Sequence, residues 1–320
     1  MIDYFKRLQI FFKERYPLMT GFLSSTMGVL GLYLVWTRVY NLKLNLGSTY
    51  LWSAAFSMFI LTMILRLSDE IKDREADKIH FPERCLPSKQ VFYRDIFYLL
   101  IFLLIVFVVM NICWGGNTIL LAGLLLYVFL FYKYFFMPNI ISKSLMLSLI
   151  THNPLIFVAM LYVISVFNKE FNLSVWSWES FTLAFAFWMS SFGWETARKI
   201  RTREQETEYE TYSMVLGTRA ACLLPMMAFT AQYYAFRFVC LNFAFYQELR
   251  IFFGIILGMY NLYFLIFMIK QSPSMAGTLQ KVTEAYLVIS SIVIVWMSLL
   301  SHGLVVEIIT FFGLKNFQIG

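Results

Sequence analysis

The chain has 320 residues, of which 60% are hydrophobic and 14% charged, with a mean hydropathy of +0.68. Soluble domains run nearer a quarter charged, so the composition excludes a soluble globular protein and describes a polytopic membrane protein in contact with the lipid bilayer. The net charge of +7 brings no nucleic-acid signature with it, and its meaning lies in where the charges fall.

Residues 1–17 mix Lys6, Arg7, Lys13 and Arg15 with Phe5, Leu8 and Phe12 at helical spacing. No small-residue cleavage site follows, so the segment is expected to be an interfacial helix lying on the membrane rather than a signal peptide. Apolar runs long enough to span follow at about 18–40, 49–67, 92–113, 117–135, 142–167, 178–197, 214–240, 248–269 and 282–305. Nine spans are therefore predicted. Gly115-Gly116-Asn117 is a tight turn between the third and fourth, and Pro154 is expected to kink the fifth. Aromatics make up 19% of the chain, more than interfacial belts require; the surplus packs against lipid or lines an apolar cavity. Cys85, Cys113, Cys222 and Cys240 lack metal-ligand spacing and read as reduced packing residues.

Basic residues set the orientation. With the N-terminus inside, nineteen fall on the cytoplasmic side and six on the other, with Arg66 inside the second span. The reading is N-terminus in and C-terminus out, with the only long polar loops, about 68–91 and 198–213, both cytoplasmic.

The first loop opens on Asp69, Asp73 and Asp77, four residues apart. Each such step drifts by only about 40° on a helix, so the three carboxylates share a face, with Glu70 at its edge. Like charges at this spacing destabilise a helix; a divalent cation in an open oxygen-ligand site would compensate and leave room for a phosphate. A solvated acidic helix, relieved by Lys72, Arg74 and Lys78, is the plain alternative. Pro82 and Pro87 force a turn that would return Arg84 and Lys89 over the acids. In the second loop Glu195 and Lys199 stand one turn apart, and Arg198, Lys199, Arg201 and Arg203 are followed by alternating glutamates. This can clamp a polyanion and lend carboxylates to a metal, or simply anchor the loop at the inner face. Taken together, the loops suit a diphosphate with a hydrocarbon tail: metal on its oxygens, bases on the leaving group, tail among aromatic side chains. An allylic cation formed by its ionisation would be stabilised by ring faces.

At these residues the chain resembles the UbiA superfamily of intramembrane prenyltransferases, bundles of nine transmembrane helices with two Asp-rich cytoplasmic motifs. The first family motif, N/D-D-x-x-D-x-x-x-D followed by R-P-L-P, corresponds to Asp69-Glu70-Ile-Lys-Asp73-Arg-Glu-Ala-Asp77 and then Arg84-Cys85-Leu86-Pro87. Glu replaces the second acid and Cys a Pro. The resemblance implies that Asp69, Glu70, Asp73 and Asp77 bind Mg2+ and an isoprenoid diphosphate, with Asp69, Asp73 and Asp77 catalytic and Arg84 on the diphosphate. The second motif departs. Glu195 holds the first acidic position, Arg198 and Lys199 stand where further aspartates are expected, Glu204 is the nearest later acid, and Thr211 and Leu216-Gly217 keep the tail of the pattern. Glu195 and Glu204 are the metal ligands this implies, with Arg198, Lys199 and Arg201 contacting diphosphate directly. Tyr132, Lys133 and Lys143 are candidates for the basic or tyrosine residue that the family places after the fourth span.

Among polar residues inside spans, Thr151-His152-Asn153 is read as pocket lining or as interhelical hydrogen bonding. Gln232, Asn261, Glu284 and His302 are read as structural, and Arg66 as snorkelling or pairing with Asp69 or Glu70. The expected fold is all-α, a single membrane domain over 1–320. The expected reaction is Mg2+-dependent transfer of a prenyl group from an isoprenoid diphosphate to a lipophilic acceptor. Two alternatives stay open: a UbiA-like terpene cyclase, and a permease, which would instead place acids near mid-span.

Overall fold

Lipid offers no hydrogen bonds, so long apolar runs bury their backbone polar groups within helices, and every regular element among the described residues is helical. The structure, a computed structural model, describes residues 2–207, 210–241 and 246–302. In chain order the helices are α1 (Ile2–Arg15), α2 (Leu18–Val39), α3 (Thr49–Lys72), α4 (Arg74–His80), α5 (Tyr93–Trp114) and α6 (Thr118–Tyr132). After a 3-10 turn at Tyr134–Phe136 come α7 (Pro138–Ile141), α8 (Leu145–His152), α9 (Leu155–Phe171) and α10 (Trp178–Ala197). A second 3-10 turn at Arg203–Gln205 leads to α11 (Tyr212–Leu216), α12 (Thr218–Val239), α13 (Tyr246–Lys270) and α14 (Pro273–Ser301).

Each of the nine predicted runs coincides with helix, and the protein is a multi-pass membrane protein. By length and apolarity, six segments among the described residues can cross a membrane: α2, α3, α5, α8 with α9, α13 and α14. The expected nine is too many by that measure, for identifiable reasons. Helix α6 is apolar but has 15 residues, about 22 Å at 1.5 Å per residue. Helices α10 and α12 have the length, but carry Glu179 and Glu195, and Arg219, Gln232 and Arg237, respectively. The expected kink is present: α8 ends at His152 and α9 begins at Leu155, with Pro154 between them. The last predicted run extends past the described residues.

The chain divides into two compact units, one of residues 1–30 and 47–175, the other of 31–46 and 176–320. In the first, α3 packs on α5 and α9, and α6 on α9. The three helices α3, α5 and α9 are pinned at the buried Asn111. Its Oδ1 accepts from Ser57 Oγ at 2.8 Å and Tyr162 Oη at 2.5 Å, and its Nδ2 donates to the Phe107 carbonyl at 2.7 Å. Replacing Asn111 by Leu strands two buried hydroxyls, and is expected to cost about 1–3 kcal/mol, read as a lower melting temperature in detergent. The Gly115-Gly116 turn is tight as expected: a Cβ on Gly116 would lie 2.2 Å from Ser165 Oγ.

In the second unit α10 packs along α12, α12 on α13, and α13 on α14. Gly193 lets the first pair approach, since a Cβ there would sit 2.6 Å from the Phe229 ring. Three of the intramembrane polar residues read as structural make interhelical bonds. Gln232 Nε2 donates to Ser190 Oγ at 2.6 Å, Glu284 accepts from Trp194 Nε1 at 3.3 Å, and His302 lies 3.2 Å from Thr37 Oγ1.

Candidate active site

The acidic ladder sits at the end of α3, where the helix leaves the apolar stretch, and continues through Asp73 into α4. Backbone bonds Asp73 N to Asp69 O (2.8 Å) and Asp77 N to Asp73 O (2.9 Å) carry the helical repeat across the junction, so the three aspartates do share a face. Their surroundings differ sharply, however. Asp69 is half-exposed and accepts from Lys72 Nζ at 2.9 Å. Asp73 accepts from the Tyr134 hydroxyl through Oδ1. Asp77 is buried, and Arg84 Nη1 donates to it at 2.8 Å while stacking 3.5 Å over the Phe81 ring. The proline turn therefore returns Arg84 to the acids as expected. Lys89 is exposed at φ 66° in the same turn, its backbone N–H donating to the Leu86 carbonyl at 3.1 Å.

Glu70 does not join the aspartates. It is 3% exposed, and two guanidinium groups converge on its Oε1, Arg15 Nε at 2.9 Å and Arg66 Nη2. The helical spacing placed Glu70 at the edge of the acidic face; tertiary packing takes it instead. Arg15 arrives on α1, which is docked on this unit. Leu8 and Phe11 are buried, Arg7 grips Asp95 with two bonds of 2.6 and 3.0 Å, and Glu14 Oε1 accepts from the Cys85 backbone N–H at 3.1 Å. Burial, reinforced by Glu14 and Glu70, pushes the Cys85 thiol up to about 12, so it stays a neutral packing group.

The partner of Asp73 comes from the turn after α6. Lys133 and Lys143 are both exposed, with the Lys133 ammonium near the Tyr132 ring at 5.3 Å; the residue that reaches the acids is Tyr134. Three consecutive non-glycine residues, Tyr134, Phe135 and Phe136, take left-handed φ values of 49°, 53° and 59°. Such conformations each cost on the order of 1 kcal/mol or more and persist where surrounding packing holds them. Here they turn the Tyr134 hydroxyl onto Asp73 and set aromatic rings beside it. Lys72 Nζ lies 4.0 Å from the Phe131 ring centroid and 4.7 Å from that of Tyr134. Phe131, Tyr134 and Phe135 in turn surround His152 on α8, at 4.7, 5.8 and 5.8 Å. Burial raises the Asp73 carboxyl above its ordinary range, against the pull of the Lys72 ammonium and the Tyr134 hydrogen bond. Burial and the neighbouring Asp73 raise Tyr134, which therefore remains a proton donor.

No three of the His, Cys, Asp and Glu side chains among the described residues converge as a metal nest. The four acids that the resemblance assigns to Mg2+ take different partners: Glu70 two arginines, Asp77 Arg84, Asp69 Lys72 and Asp73 the Tyr134 hydroxyl. Asp69 and Asp73, the two without an arginine, form a pair one turn apart. That pair fits Mg2+, which takes one or two protein carboxylates and completes its shell with water and substrate phosphate oxygens.

The charged loop of the second unit is built differently. Arg198 and Lys199 close on Glu195 at 2.6 and 3.2 Å. The Arg201 guanidinium donates to the carbonyls of Arg198 and Ile200 at 3.0 and 2.9 Å. Glu204 is exposed on the 3-10 turn. The acid that organises the loop is Glu206, which accepts from Thr211 Oγ1 at 2.7 Å and Ser213 Oγ at 2.6 Å. Glu208, among the alternating glutamates, lies outside the described residues.

Comparison with known proteins bears on the fold and the family. A solved structure of a digeranylgeranylglyceryl phosphate synthase in membranes is similar, with a TM-score of 0.62 and 15% identity, covering 92% of this chain and 99% of the other. The apo structure of a UbiA homolog from Aeropyrum pernix K1 is similar at a TM-score of 0.52 and 12% identity, over 85% of this chain and 98% of that one. At these identities the likeness shows the fold. No curated protein sequence matches. The profile of the UbiA prenyltransferase family matches residues 25–281, from within α2 into α14, and the chain therefore belongs to the UbiA prenyltransferase family.

Proposed function

We propose that this enzyme transfers a prenyl group from an isoprenoid diphosphate to a lipophilic acceptor, with Asp69 and Asp73 as the carboxylates that hold Mg2+. The observation that carries this reading is the inequality among the acids. Glu70 is taken by two arginines and Asp77 by Arg84, while Asp69, paired with Lys72, and Asp73, bonded by the Tyr134 hydroxyl, stand one turn apart with no arginine on either. Bound there, Mg2+ supplies charge neutralisation to the diphosphate oxygens. Arg84, held against Asp77, is one turn further along and positioned to take a phosphate oxygen. In the second unit, Arg198 and Lys199 stand where the family pattern has further aspartates and, with Arg201, are phosphate-binding candidates of that unit. Glu195 orients the first two, rather than serving as a ligand.

In the reaction, the bond between the allylic C1 and the diphosphate oxygen breaks and its electron pair leaves with the diphosphate. A lone pair or π pair of the acceptor then bonds C1, and the acceptor loses a proton. The Phe131, Tyr134 and Phe135 rings, grouped around His152 with the Tyr134 hydroxyl on Asp73, suit the allylic cation by cation–π attraction. The same rings favour a second reading, closure of the cation on itself to a cyclic terpene. The excess of basic residues on one side supports a cytoplasmic N-terminus and cytoplasmic active-site loops.

The test is diphosphate release by the detergent-purified protein supplied with geranyl, farnesyl or geranylgeranyl diphosphate, with 4-hydroxybenzoate or a membrane lipid extract as acceptor. Release that stops with EDTA and returns with excess Mg2+, together with prenylated acceptor, supports the transferase. A cyclic terpene formed without acceptor supports the second reading. No release with any of the three diphosphates overturns both.

A further inference from the structure

One titratable group beside Asp69 and Asp73 has no part in the chemistry above. His152 ends α8, packed by the rings of Phe131, Tyr134 and Phe135. Its Nδ1 lies 2.9 Å from the Ser148 carbonyl oxygen, which can only accept, so Nδ1 carries the hydrogen. Thr151 Oγ1, also 2.9 Å from Nδ1, donates its own hydrogen to the Leu147 carbonyl at 2.6 Å and shares the Nδ1 hydrogen as a second acceptor. A neutral imidazole protonated at Nδ1 has a bare lone pair at Nε2. Nε2 is buried and has no hydrogen-bond partner among the described residues, whereas buried polar atoms are almost always paired.

A purely structural histidine would be expected to use both nitrogens. Here one nitrogen is anchored so that the tautomer and ring plane are set, and the other has no partner among the described residues, while the imidazole packs against the ring of Tyr134, whose hydroxyl sits on Asp73. We propose that His152 is the proton acceptor of the transfer step: its Nε2 lone pair takes the proton that leaves the acceptor as the acceptor bonds C1. The balance is complete without a further reactant. Diphosphate departs with the electron pair of the broken C1–O bond, the acceptor supplies the pair for the new bond, and its proton converts the imidazole to imidazolium. The charged groups that act on the ring are Lys72, paired with Asp69 at the end of α3, and Asp69 itself. The proposal rests on the transferase reading and assigns a role that none of the acids fills, because Asp69 and Asp73 are committed to the metal and Asp77 to Arg84.

The experiment compares wild type with His152→Gln and His152→Gly, counting diphosphate released and prenylated acceptor formed in one assay, with geranylgeranyl diphosphate and 4-hydroxybenzoate or lipid extract. General-base catalysis contributes roughly 10²- to 10⁴-fold. In His152→Gln the prenylated product is therefore expected to fall at least about 10²-fold while Mg2+-dependent diphosphate release continues and prenyl alcohol accumulates. Added imidazole is expected to restore product in His152→Gly. An unchanged ratio of product to diphosphate in His152→Gln overturns the proposal. So does a parallel loss of both in protein of wild-type melting temperature, or failure of imidazole to restore product in a His152→Gly protein that still releases diphosphate. Absence of diphosphate release from wild type is a different result: it overturns the transferase reading, and this assignment with it.

Discussion

Replacing Asp73 by Asn is expected to slow Mg2+-dependent diphosphate release by about 10²- to 10³-fold, the range for removing one preorganised electrostatic group from a site, while leaving the melting temperature unchanged or raised. The two halves of that expectation have one cause. Burial raises the Asp73 carboxyl above its ordinary range, and neither the Lys72 ammonium nor the Tyr134 hydrogen bond restores it. A carboxyl raised by folding contributes stability that is fully present below its unfolded value, near 3.8, and lost as pH rises through its folded value. Above that folded value the ionised carboxylate is therefore a burden on the fold, retained for the metal. Asparagine is isosteric, still accepts from Tyr134, and carries no charge to desolvate. Thermal unfolding in detergent at pH 4 and pH 8 checks this: wild type loses more stability between them than Asp73→Asn does, other groups being common to both. A variant that unfolds at a clearly lower temperature at pH 8 would show that the Asp73 charge supports the fold, and the division of roles drawn here would fail.

Glu70→Ala is expected to do the reverse, destabilising the protein by about 3 kcal/mol, the cost of breaking a buried ion pair from one side. The Glu70 side chain is 2% exposed, against 15% for Arg15 and 30% for Arg66, so its loss strands two partly buried guanidinium groups beside a low-dielectric interior. Removing Arg15 as well relieves part of the cost, and the double variant Arg15→Ala with Glu70→Ala is expected to be more stable than Glu70→Ala alone. The Mg2+ concentration for half-maximal diphosphate release is expected to stay within about threefold of wild type in whatever fraction of Glu70→Gln folds, since such a shift is under 1 kcal/mol. A tenfold weakening of the Mg2+ response at intact stability would return Glu70 to the metal.

These two acids mark the line between what periodicity determines and what only packing decides. The sequence by itself determined the membrane class, the helices, the break at Pro154, the sharing of one face by Asp69, Asp73 and Asp77, and the return of Arg84 through the proline turn. Each depends on interactions within one segment, and local spacing specifies those. It did not distinguish Glu70 from Asp73, because that difference lies in partners far along the chain: Arg15 is 55 residues from Glu70, and Tyr134 is 61 from Asp73. Tyr132, Lys133 and Lys143 are the candidates that the sequence offers after the fourth span. A run of left-handed backbone turns Tyr134 to the acids instead, and no propensity scale favours three non-glycine residues in that conformation. The amphipathic pattern of α1 likewise suits a membrane surface and a protein surface equally well. The placement of Arg7 and Arg15 against Asp95 and Glu70 fixes which protein groups the helix meets, because an ion pair shielded from water is specific to its partner in a way that an apolar stripe is not.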